Sequence, residues 1–303
     1  MFKRKKEIDL LVLSTLIFAF LLELFYFRPS VIIVILGFFV YVALILMHYD
    51  THIQDQIKHP FSYALAELKD TNNFLERYSH AFIRGFYYRF SHFLKGYSMK
   101  KHLHFLIQPT FLYWSVFSLL FFFGNFWFDQ LLILCTVAIF FMIMASVSHI
   151  YKNSFKIEDK HLHILGMTKM VVVFLAMMAS YAYYHFGYVL AYEGMMLCLS
   201  ATVVLLYQYA WKTGELYKKI WAWQAIFWSG LLNLGVYYLL ARNSLNFFLS
   251  VTVLFSIYSI CFGILKHYLK GDLNKKIVYE YLVVALVICS IIWANSFFSE
   301  RVL

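Results

Sequence analysis

His48, His52, Asp55 and His59 recur at steps of four, three and four residues. On a helix that spacing gathers them into an arc of roughly 60°. Histidines at i and i+4 can chelate one metal ion through their ring nitrogens, and an aspartate can add an oxygen ligand. Further histidines follow as candidate ligands: His102 and His104, His161 and His163, and also His149 and His267. The chemistry such a set would support is binding of iron or zinc, which would polarise a substrate or activate water or oxygen. The pattern also has a plainer origin. Ile53 and Ile57 fall on the opposite side of the same helix, so the stripe is equally the polar face of an amphipathic helix leaving a membrane.

A second group of residues points to lipid. Phe82, Phe86, Phe90, Phe93 and Tyr97 are spaced by four, four, three and four, which makes one aromatic helix face. Arg84, Arg89, Lys95, Lys100 and Lys101 add cations around it. An aromatic-faced basic helix suits the membrane interface, rings toward the acyl chains and cations toward phosphates. The ligand this implies is the anionic head group of a membrane lipid. The same segment could instead pack against the bundle or dock a protein partner. Basic and aromatic interleaving also serves single-stranded nucleic acid, but no nucleic-acid partner is expected for a chain of the following composition.

The elements that must carry these residues are membrane spans. The chain has 303 residues, 62% hydrophobic, 21% aromatic and only 14% charged. Soluble domains carry about 25% charged residues. Nine apolar runs can be counted: Leu10–Phe27, Val31–Met47, Phe105–Gly124, Phe126–Val147, Leu165–Phe186, Val189–Trp211, Ile220–Leu240, Leu245–Leu265 and Ile277–Ala294. Most have the length that crosses a hydrocarbon core. Backbone groups in lipid must be satisfied internally, so the runs are predicted as helices. Gln108-Pro109 interrupts the third run, and proline suits a first helical turn, which predicts that helix to start at Pro109 or just after. The connections alternate between tight and long, giving an all-α, polytopic integral membrane protein with about nine transmembrane helices, four hairpins plus one. The expected division is a first hairpin over 1–48, a cytoplasmic amphipathic segment over 49–108 and the remaining bundle over 109–303.

Charge orients the bundle. Of the 26 Lys and Arg residues, 23 fall at the amino terminus, in the long connections or just inside the run that follows one. Arg28, Arg242 and Arg301 are the exceptions. The positive-inside rule puts the amino terminus and long loops in the cytoplasm and the carboxyl terminus outside. Eleven of the 12 histidines share that cytoplasmic side. The net charge of +10 is then a topology signal. The first run has no small-x-small cleavage pattern after it and reads as an uncleaved helix. A bacterial inner membrane is the expected location. The four cysteines, Cys135, Cys198, Cys261 and Cys289, are far apart within apolar runs and read as small buried hydrophobes.

Several chemistries lack their signatures. The prolines Pro29, Pro60 and Pro109 lie at or outside run ends, and Glu23, Glu193 and Glu280 sit within about a turn of theirs. Asn233 is the one strongly polar group read near a run's centre, with a helix–helix hydrogen bond as its expected role. Gly230 and Gly235 on the same run are expected to permit close packing. Ion-coupled transport, which needs charges near the midplane, is disfavoured on this reading. Membrane polyprenyltransferases hold magnesium with two aspartate-rich loops; here Asp50 and Asp55 face different sides of a helix and "KTGELYKK" has no aspartate. Membrane fatty-acid desaturases use paired histidines, and this chain has no HH. Three functions stay open: a membrane-embedded enzyme acting on a lipid or other amphipathic substrate, a scaffold docking a partner through 49–108, and a facilitator or lipid transporter.

Overall fold

A computed structural model describes residues 2–53, 98–152, 159–212, 220–242 and 246–299. Among these there are nine helices and no strand. They are α1 (Phe2–Phe27), α2 (Val31–Ile53), α3 (Ser98–Phe123), α4 (Phe126–Lys152), α5 (Asp159–His185), α6 (Ala191–Lys212), α7 (Ile220–Arg242), α8 (Phe247–Lys270) and α9 (Lys275–Ser299). Six contain apolar stretches long enough to cross a membrane among the described residues: Leu106–Phe123, Phe126–His149, His163–His185, Ala191–Gln208, Ala222–Arg242 and Phe247–Lys270. Shorter apolar helical stretches cover Leu11–Phe27 and Val31–Ile45. The architecture is that of a multi-pass helical membrane protein.

The surface supports this. Trp127, Leu134, Trp228, Phe20 and Ile32 are each more than 60% exposed. On α9, Val278, Tyr279, Leu282, Val283, Leu286 and Val287 are all exposed as well. A soluble monomer does not leave apolar area of this extent in water, whereas acyl chains accept it. Within the helices, hydroxyls turn back to their own backbone: Thr15 to Leu11 O (2.7 Å), Thr202 to Cys198 O (2.9 Å), Thr252 to Phe248 O (2.8 Å) and Ser290 to Leu286 O (2.8 Å). Without water, that is how a hydroxyl is satisfied.

Two compact units divide the chain. The first comprises residues 1–106 and 133–165, the second 107–132 and 166–303. In the first, α1 packs on α2, and the rings of Phe18, Tyr41 and Phe140 meet with centroids 4.7–5.2 Å apart. Offset aromatic packing of this kind adds to the area it buries.

In the second unit, α6 packs most closely on α7, α7 on α8, and α8 on α9. Small residues explain the close pair. A Cβ at Gly230 of α7 would lie 2.7 Å from Val203 Cγ2 and 2.9 Å from Leu199 Cδ1 of α6. Gly194 of α6 likewise faces the Tyr237 hydroxyl end. Glycine lets two backbones approach, the usual device where lipid supplies no hydrophobic drive. Gly235 does not share this role, since a Cβ there meets nothing within 4 Å.

One predicted boundary is corrected. The helix does not start at Pro109: α3 begins at Ser98 and runs through the proline. Proline removes a single donor and disfavours a helical residue before it, costs that a membrane helix can absorb through its neighbours. Here the buried Gln108 beside the proline is held by a side-chain bond from α5.

Candidate functional site

Of the sequence-predicted residues, Asp55, His59, Arg84, Arg89 and Lys95 lie outside the described residues. His48 and His52 fall one turn apart near the end of α2, which runs on to Ile53. Lys100, Lys101, His102 and His104 occupy the first turns of α3, and His161 and His163 those of α5. His267, in the last turn of α8, meets Asp272 with Nδ1 to Oδ1 at 3.0 Å, and both are solvent-accessible. Among the described residues no three His, Cys, Asp or Glu side chains are grouped closely enough to hold a metal. Cys135, Cys198 and Cys261 carry free thiols.

The second unit holds polar groups that the sequence reading passed over. Lys169 of α5 is 1% exposed, six residues inside the apolar stretch that opens at His163. At 1.5 Å per residue that is about 9 Å along the helix axis. Its neighbour Thr168 receives a hydrogen bond from Gln108 Nε2 of α3 at 2.9 Å, with both side chains buried. Gln108 Oε1 accepts no hydrogen bond among the described residues. Lysine at this position would ordinarily extend its stem to the interface. A buried lysine that follows a buried amide–hydroxyl pair in the chain supplies the residue types that bind an anionic oxygen.

At the opposite ends of these helices is a tyrosine layer. Tyr184 donates to Ala241 O (2.9 Å), Tyr181 to Leu240 O (3.5 Å) and Tyr237 to Ser180 O (3.3 Å). Ser118 and Tyr183 share a hydrogen bond of 3.0 Å between α3 and α5. Phe122 stacks on Phe186 at 5.4 Å, and Phe247 lies 5.4 Å from the exposed His185 ring. The aromatic residues fix α3, α5, α7 and α8 to one another here. Asp129, in the first turn of α4, is fully buried at this end.

Asn233 departs from its expected role. It is 0% exposed, but its amide donates to Ser229 O at 3.0 Å within its own helix, and its Oδ1 accepts no hydrogen bond among the described residues. Asn233 is also not alone as a buried strongly polar side chain in the spans, since Gln108, Asp129, Lys169 and Gln208 join it. Each of those four lies within seven residues of a stretch end, where sequence alone assigns a polar residue to the interface. Sequence could have flagged Lys169 only by its interval from the preceding charges.

Comparison with protein-family models, with curated proteins and with solved structures finds no match to the chain.

Proposed function

We propose that this membrane protein handles a lipid or other amphipathic substrate, whose anionic head group is read on the Lys- and Arg-rich side while its apolar part stays in the bilayer. One observation carries the reading: Lys169 is buried inside an apolar span, one residue after the Thr168 that receives the Gln108 hydrogen bond. Ionisable side chains are costly within a membrane and usually mark a substrate or ion path. Lys169 would neutralise the head group, and Gln108 and Thr168 would orient it. Arg84, Arg89, Lys95, Lys100 and Lys101 would gather anionic lipid from the interface. The positive-inside bias makes that side cytoplasmic, and a bacterial inner membrane is the proposed location.

The test is native mass spectrometry of the detergent-purified chain, read for co-purifying anionic amphipaths. Lys169→Arg should retain them. Lys169→Met should lose about 10- to 150-fold in affinity, the equivalent of one charge-assisted hydrogen bond worth about 1.5–3 kcal/mol. Equal retention by a Lys169→Met protein with wild-type elution and melting would sink the reading.

A metal-dependent enzyme is the second reading. It is favoured by α2 continuing to Ile53, which keeps His48 and His52 in the i, i+4 relation that chelation requires. With Asp55 and His59, and with His102, His104, His161 and His163 as further ligands, they would hold iron or zinc. Elemental analysis of protein without a histidine tag should find near-stoichiometric metal, lost in His48→Ala/His52→Ala. Metal-free, well-folded wild type removes this mechanism.

A further inference from the structure

We propose that Asp129 is a cation-binding carboxyl inside the membrane, its ligand a proton or a sodium-like monovalent ion. The proposal does not rest on the head-group reading above. Asp129 lies in the apolar stretch Phe126–His149 and is 0% exposed. It is the one fully buried carboxyl among the described residues. Neither of its oxygens accepts a hydrogen bond among the described residues. An ionised carboxylate in that position has exchanged water for nothing, which a protein avoids by supplying a positive partner or a proton.

Helix capping does not explain the residue. Asn125 already serves the start of α4: its Oδ1 accepts from Phe128 N at 3.3 Å and its main-chain O from Asp129 N at 2.8 Å. Glu193 shows what a structural acid does at a comparable place. It sits in the first turn of α6, is exposed, and gives one oxygen to Leu190 N at 3.0 Å. Asp129 does neither. Aromatic rings pack at the start of α4: Phe128 meets Phe123 at 4.8 Å, and Phe123 meets Phe247 at 5.6 Å and Phe248 at 6.3 Å. The polar side chains in the same turn, Asn125, Trp127 and Gln130, give the Asp129 oxygens no hydrogen bond. Among described residues, the charged or titratable groups at the matching ends of α5, α6 and α7 are His185, Glu193 and Arg242, all exposed, and the tyrosines of that layer. Tyr183 and Tyr184 direct their hydroxyls to Ser118 and to Ala241 O, and none of these groups pairs with Asp129. No described residue supplies the missing partner, and the proposal assigns that place to a cation.

Dicyclohexylcarbodiimide is the probe, because it reacts with carboxylic acids held in apolar surroundings. The full chain in proteoliposomes is treated across a pH series, with and without sodium, and the modified peptide is located by mass spectrometry. Asp129 should be labelled, Glu193 spared, and Asp129→Asn unlabelled at this peptide with unchanged elution and melting. For a proton ligand, labelling falls about tenfold per pH unit above its midpoint and ignores sodium. For sodium, labelling at fixed pH is suppressed by sodium and not by potassium chloride. Absence of label at Asp129 in folded protein, or label that neither pH nor sodium changes, overturns the proposal.

Discussion

Replacing Gly263 by alanine should reverse the usual sign of that substitution. In an exposed helix interior, Gly→Ala gains about 0.8–1 kcal/mol from helix propensity. At Gly263 the new Cβ would fall on Tyr281 of α9, 2.6 Å from its Cε1 and nearer still to the hydroxyl end, where ordinary contact starts at 3.4 Å. The ring must retreat by more than about 0.8 Å, and the clash takes in Cε1 of the stiff aromatic body as well as the hydroxyl end. Overpacking of this kind costs about 1–3 kcal/mol. The net expectation is a loss of about 0–2 kcal/mol in the wild-type background. Tyr281→Ala removes the obstacle, so Gly263→Ala should then stabilise by about 0.5–1 kcal/mol. Unfolding in mixed micelles by denaturing detergent, run on the four proteins of the cycle, reads the coupling directly. The same increment from Gly263→Ala in both backgrounds would refute the packing of α9 on α8 through this pair.

Other expectations follow from the buried polar groups and the close helix pair. Asn233→Leu should leave stability unchanged or slightly higher, because an orphaned carbonyl disappears with the amide; a loss above about 1 kcal/mol would restore the interhelical bond that the sequence suggested. Gly230→Leu should destabilise by at least about 1–3 kcal/mol through Val203 and Leu199, whereas Gly235→Leu should be tolerated, as thermal melting in detergent will report. Tyr184→Phe should cost about 0.5–1.5 kcal/mol for the lost bond to Ala241 O, and a larger share of that cost should appear in unfolding measured at α7 than at α1. Asn125→Ala should cost about 0.5–2 kcal/mol as a lost helix cap, without changing the carbodiimide labelling of Asp129.

The helices were legible because each span must satisfy its own backbone, which leaves long apolar runs as the trace. Run ends were less so. At Pro109 the local rule for a first turn competed with the tendency of α3 to continue, and the side-chain bond to Thr168 that supports Gln108 comes from sixty residues away. Burial was legible for Asn233 at a run's centre but not for polar residues near run ends. Lys169 and Glu193 sit at comparable distances from their run ends, yet one is enclosed and the other exposed. Only the packing of neighbouring helices separates them. The histidine stripe was visible as a spacing, but its chemistry depends on side chains brought from other segments, which no spacing within one helix encodes.

The tyrosine layer has a consequence for how the bundle opens. The last carbonyls of a helix lack partners within it. In α7 two of them, Leu240 O and Ala241 O, receive hydroxyls from Tyr181 and Tyr184 of α5, while Tyr237 of α7 returns a hydroxyl to Ser180 O. Fraying of α7 at this end therefore breaks bonds held by a helix about sixty residues earlier in the chain. The two termini should exchange amide hydrogens as one cooperative block, slower than the tip of α1, and the free energy of that shared opening sets how readily this side of the membrane can be reached from the bundle interior.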